Sequence, residues 1–84
     1  VEGPAAEAAD LRSVTTFLMD MMDEPQWCGE LMDRCVDAGI AFARAQIDAG
    51  ADTIGVGDAI CSQISPELYE QMVLPRQRRL LEAV

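Results

Sequence analysis

The sequence contains no histidine and no lysine. Without histidine it lacks the side chain that most often serves as a general base near neutral pH, and the commonest metal ligand. Its only basic side chains are six arginines, set against 15 acidic residues, for a net charge of −9. Such a chain repels phosphate backbones and anionic lipid surfaces, so neither nucleic acid nor a membrane is an expected partner. It has no run of about 18 apolar residues, and a transmembrane helix is not expected. The opening Val1-Glu2-Gly3-Pro4 lacks the basic region and apolar core of a signal peptide. Cysteine is sparse. Cys28, Cys35 and Cys61 are odd in number and not spaced as CxxC, which predicts free thiols in a reducing, cytoplasmic setting rather than a disulfide framework. Cys28 and Cys35 lie seven apart on one predicted helix and read as small core residues.

What is present is apolar. Half of the 84 residues are hydrophobic, so the chain is not compositionally disordered. A domain of this length buries roughly 60% of its unfolded surface and is marginal alone. A partner is therefore expected, either a second copy or the rest of a larger fold.

Residues 1–12, with Gly3-Pro4, read as the end of a strand leading into a loop. Ser13 is a cap for a short helix through Met22, with Val14, Phe17, Leu18 and Met21 as its buried stripe. Asp23 is the expected cap of a long helix that opens at Pro25 and runs to about Ala49. Trp27, Leu31, Cys35, Ala38, Phe42 and Ile47 recur on one face of it. Gly50 is its expected stop. Residues 51–57 form the only convincing strand, without an alternating polar face, as in a strand covered on both sides. Residues 59–64 read as a loop. Ser65-Pro66-Glu67 is a strong helix start. Leu68, Tyr69, Met72 and Val73 are its apolar side, and Pro75 must kink that helix or open another.

The stretch Ala45-Gln46-Ile47-Asp48-Ala49-Gly50-Ala51-Asp52-Thr53-Ile54 is followed by Gly57-Asp58, by Ile64-Ser65-Pro66-Glu67-Leu68-Tyr69 and by Leu74-Pro75. In this order, with Gly3-Pro4 and Phe17-Leu18-Met19-Asp20…Pro25 upstream, these motifs resemble the uroporphyrinogen decarboxylase superfamily. The resemblance covers nearly the whole chain and about a quarter of a family member, in its middle. It implies an α/β fold. Residues 1–84 would be a single partial domain, the central segment of a (β/α)8 TIM barrel cut at both ends, mostly helical with one clear strand at about 52–57. Gly57-Asp58-Ala59-Ile60-Cys61-Ser62 resembles most closely the corrinoid-linked branch, the methylcobamide:coenzyme M methyltransferases. Decarboxylases carry a serine after the strand-end acid, where this chain has Ala59. They place an active-site tyrosine beyond the Gly-Pro motif, where the nearest match is Asp10. The larger protein is thus expected to be a methyltransferase or a lyase, acting on a corrinoid or a tetrapyrrole. It is expected to use zinc and a corrinoid, with the zinc ligands downstream of this segment. The segment itself is expected to hold no cofactor and to be inactive alone. The alternative is a helical self-association module without catalysis.

Asp58 is the candidate catalytic residue, since barrel enzymes place such groups at the C-terminal ends of strands. The competing reading is a helix cap or a loop hydrogen bond. Gly3, Pro4 and Asp10 are candidate substrate-binding residues. Gly3 could let a ligand approach the backbone closely, or Gly3-Pro4 could be a plain turn. Cys61 beside Asp58 is not a metal site, because zinc takes three or four protein ligands. Arg76, Arg78 and Arg79 could hold an anion or pair with the many acids.

Overall fold

The structure, a computed structural model, describes all 84 residues. Val1–Gly3 is extended, but Pro4 opens helix α1 (Pro4–Arg12) where a loop was expected. Proline suits the first helical position because its missing N–H would be unsatisfied there. Glu7 in the first turn and Arg12 in the last both complement the helix dipole. The buried side is Ala5, Ala8 and Ala9, whose small side chains let α1 pack against the two helices that follow.

Helix α2 (Val14–Asp23) begins at the expected cap. The Thr16 N–H donates to the Ser13 hydroxyl at 3.4 Å, and Ser13 takes a left-handed φ of 74° to turn the chain between the two helices. Phe17 and Met21 are buried and Leu18 packs partly against the core, but Val14 is exposed.

Helix α3 (Pro25–Asp48) carries Glu24, not Asp23, at its cap position, because α2 extends through Asp23. Its buried face is Cys28, Gly29, Met32, Cys35, Val36 and Ala43. Among the six residues expected on that face only Cys35 is buried, and Leu31 packs partly against the core. Trp27, Phe42 and Ile47 are 44%, 58% and 42% exposed. The buried stripe is offset from the expected one by one residue, about 100° of rotation. The offset places Gly29 against the C-terminal helix, where a Cβ would lie 2.6 Å from Arg76 Nη2 and the guanidinium would have to shift. Gly50 ends the helix with φ 106°, as expected.

The expected strand at 52–57 is not formed. Pairing is limited to one parallel bridge between Glu2 and Gly57. It is held by Gly57 N–H to Val1 O at 3.0 Å and Gly3 N–H to Gly57 O at 2.7 Å, with the Val1 amino group on Gly55 O at 2.9 Å. A strand satisfies its backbone groups only through neighbours, and the sole neighbour here is the three-residue Val1–Gly3 segment. The two segments run parallel, which requires the long helical crossover that α1, α2 and α3 supply.

A 3₁₀ turn (Ala59–Gln63) follows and buries Ile60. Ser65 caps α4 (Pro66–Leu68), its hydroxyl accepting from Leu68 N–H at 3.3 Å. A π turn (Tyr69–Val73) leads into α5 (Leu74–Glu82), with Leu74 N–H reaching back to Tyr69 O. Pro75 explains the widening. In an uninterrupted α-helix its ring would clash with the Gln71 carbonyl, which it could not bond. Arg76–Asp33 (2.9 Å) and Arg79–Asp37 (2.8 Å) clip α5 onto α3, so two of the three clustered arginines form ion pairs. Arg12 pairs with Asp20 at 3.0 Å and stacks over Trp27, which ties the end of α1 to both following helices. No helix is long and apolar enough to cross a membrane.

Candidate functional site

Asp58 follows the single parallel bridge, and its carboxylate joins three parts of the chain. Oδ1 accepts the Ala6 N–H at 2.6 Å. Ala6 is the third residue of α1, where a cap side chain normally bonds. Gly3, in the cap position, has no side chain to offer, so Asp58 caps α1 from 52 residues away. Oδ2 accepts from Gln77 Nε2 at 2.8 Å. Gln77 Oε1 in turn accepts from the Tyr69 hydroxyl at 2.5 Å. Asp58 is thus fixed to α1 on one side and to α5 and, through Gln77, the π turn on the other.

Sequence reasoning did not find Gln77 and assigned Tyr69 only to packing. Eight residues apart, the two point about 80° away from one another on a regular α-helix. The one signal that could have joined them was Pro75, which forces the intervening turn out of α geometry.

Gly3 and Pro4 are both buried. Gly3 faces Asp58: a Cβ on it would come within 2.5 Å of Oδ2 and 2.7 Å of Asp58 Cβ. Beside the bridge lies an open cleft of about 440 Å³, whose wall includes Glu2, Ala6, Asp10, Ala59, Ser62 and Gln63. Asp10 and Glu2 stand on its rim. Asp58 does not line it, but holds Ala6 and directly precedes Ala59, two of its wall residues. No cation of this chain lies in that wall.

The carboxylates of Glu2, Glu7 and Asp10 come within 4.8 Å of one another. The hydrogen bond to Asp10, loss of water and the charges of Asp10 and Glu7 push the Glu2 carboxyl up to about 7.

The three cysteines are free. Burial pushes the Cys28 thiol up to about 11, aided by the Asp20 charge. Burial and neighbouring Asp58 push Cys61 up to about 12. Cys35 is raised too, chiefly by burial. No histidine accompanies them. The chain offers no imidazole to zinc or to a corrinoid, and its one close set of three ligand atoms is the Glu2, Glu7 and Asp10 carboxylate cluster.

The family profile described as uroporphyrinogen decarboxylase (URO-D) matches residues 1–84. A methylcobamide:CoM methyltransferase, MtaA of Methanosarcina barkeri, is 33% identical over 86 residues, covering 100% of this chain and 25% of that enzyme. The uroporphyrinogen decarboxylase of Syntrophotalea carbinolica is 37% identical over 78 residues, 93% of this chain and 23% of that enzyme. That of Streptomyces coelicolor is 38% identical over 64 residues, 76% of this chain and 18% of that enzyme. No solved structure gives a significant match. The chain spans about a quarter of the length of the first two of these relatives. With the whole of its sequence matched, this chain belongs to the uroporphyrinogen decarboxylase family.

Proposed function

We propose that this chain is one sector of a (β/α)8 barrel enzyme that transfers a methyl group from a corrinoid, with the cleft beside the Glu2–Gly57 bridge as part of the substrate pocket. The observation that carries this reading is the character of the cleft wall. It presents Glu2, Asp10, Ser62 and Gln63 but no arginine. A decarboxylase must hold a carboxylate, which calls for charge-assisted donors such as arginine. Carboxylates on the rim oppose such a substrate. Ala59, where the resemblance places a serine in decarboxylases, supports the same choice.

In this reading Asp58 is the strand-end acid that shapes the pocket. Two of the roughly four lone-pair sites of its carboxylate are taken by Ala6 and Gln77, leaving capacity for further donors. Gly3 makes room for that carboxylate, Pro4 sets the start of α1 beside it, and Asp10 stands at the mouth. Zinc and the corrinoid would be held by the remainder of the barrel. Large apolar residues on the outer side of α3 and at the end of α5, namely Phe42, Ile47, Leu81 and Val84, are 42–58% exposed. They fit the reading of a sector that packs against further structure.

The test is a paired assay on the polypeptide that carries this segment in its source cells. Thiol-dependent loss of the methyl–cobalt absorbance, with no carbon dioxide released from a tetrapyrrole carboxylate, is the expected result. Decarboxylation without methyl transfer would reverse the assignment. A native product of 9.1 kDa that self-associates and does neither would favour an association module instead.

A further inference from the structure

We propose that Gln77 is the positioning residue for the Asp58 carboxylate, and that the π turn before it exists in register terms to bring it there under the control of Tyr69. The inference rests on the reading above that Asp58 shapes the pocket.

Tyr69 and Gln77 lie at the start of the π turn and in the first part of α5. On a continuous α-helix residues eight apart diverge by about 80°. A π turn accommodates one extra residue, so the pair behaves as though seven apart and shares a face to within about 20°. That alignment lets the Tyr69 hydroxyl donate to Gln77 Oε1. With its oxygen so occupied, the amide turns Nε2 toward Asp58, a donor facing an acceptor. The opposite orientation would set two oxygens against one another. Nε2 also lies 3.6 Å from Cys61 Sγ, which adds a weak contact on the same side.

The chemistry of the amide suits the task. An arginine would neutralise the acid, whereas a neutral amide fixes its orientation and leaves its charge. Arg76, the adjacent residue, is directed away: its guanidinium bonds Asp33, Gly29 O and Met72 O. Asp58 Oδ1 remains free to hold the Ala6 N–H. Gln77 thus acts on the cleft wall through Asp58 and not by contact with the cleft, whose lining excludes it.

The test uses the polypeptide that carries this segment in its source cells, labelled with nitrogen-15 and carbon-13. Gln77→Leu is expected to speed exchange of the Ala6 amide roughly 3- to 10-fold, the size of one weakened hydrogen bond. It is also expected to shift the Asp58 carboxyl carbon signal, while amides beside Phe17 and Met32 stay unchanged. Tyr69→Phe keeps the ring and removes only the hydroxyl, so it serves if Gln77→Leu fails to fold. It is expected to move the same two signals in the same direction by a smaller factor. Unchanged Ala6 exchange and an unmoved Asp58 signal in the folded variant overturn the proposal. The pocket reading is judged separately, by turnover of an Asp58 variant in the larger polypeptide. In that setting Gln77→Leu is expected to add no further loss once Asp58 is replaced, and independent losses that sum would contradict action through Asp58.

Discussion

The Asp58 side chain occupies the space that a Cβ on Gly3 would need, 2.5 Å from Oδ2 and 2.7 Å from Asp58 Cβ. The φ of Gly3 is −73°, open to any residue, so glycine is required here for room and not for conformation. Gly3→Ala must displace the carboxylate that caps α1 or push α1 itself. The expected cost is about 1–3 kcal/mol, typical of overpacking at a tight contact, read as a lower urea midpoint with faster exchange at Ala6. An alanine variant as stable as the parent would show that Asp58 does not sit against Gly3.

The face that α3 presents to the core is testable by a pair of truncations. Met32 is fully buried, whereas Phe42 is 58% exposed. Met32→Ala is expected to cost about 2–5 kcal/mol, enough to unfold much of a domain this small. Phe42→Ala should change stability by no more than about 0.5 kcal/mol. The reverse order in urea unfolding would mean that the larger aromatic side faces inward.

Stability should fall as pH rises across the Glu2 titration. Its carboxyl is raised from 4.5 to about 7, with the Asp10 hydrogen bond the largest cause. Between those values the folded chain holds a proton that the unfolded chain has released. The contribution is therefore full below about 4.5 and lost as pH passes through about 7. Glu2→Gln is expected to flatten the urea midpoint across this window relative to the parent, and an unaltered slope would remove Glu2 as its source.

Much of the helical layout is legible in the sequence because its signals are local. Ser65-Pro66-Glu67 starts α4, Gly50 with φ 106° stops α3, and Ser13 caps α2 through its own hydroxyl. Family membership is legible for the same reason, since its motifs are short and ordered. Helix α1 escapes notice because its buried positions, Ala5, Ala8 and Ala9, recur at helical spacing without forming a conspicuous apolar stripe. The face of α3 is misjudged because the largest apolar residues, Trp27 and Phe42, lie outside the core, with only Arg12 stacked over Trp27 and Phe42 more than half exposed. The strand at 52–57 reads as one from composition, yet pairing depends on a neighbour that extends only over Val1–Gly3. The Asp58–Gln77–Tyr69 connection depends on a π turn, which shifts register in a way that helical periodicity does not anticipate.

Asp58 in the larger polypeptide is where the proposed pocket is most directly tested. Methyl transfer from a methylcobamide to a thiol should be compared between the parent and Asp58→Asn, with the melting temperature recorded for both. Asparagine can still accept from Ala6, but its amide opposes that of Gln77 and its charge is gone. Loss of a hydrogen-bonded charge is worth about 1.5–3 kcal/mol, so turnover is expected to fall roughly 10- to 100-fold while the protein stays folded. Full turnover in a folded Asp58→Asn enzyme would contradict a role for the strand-end acid in the pocket.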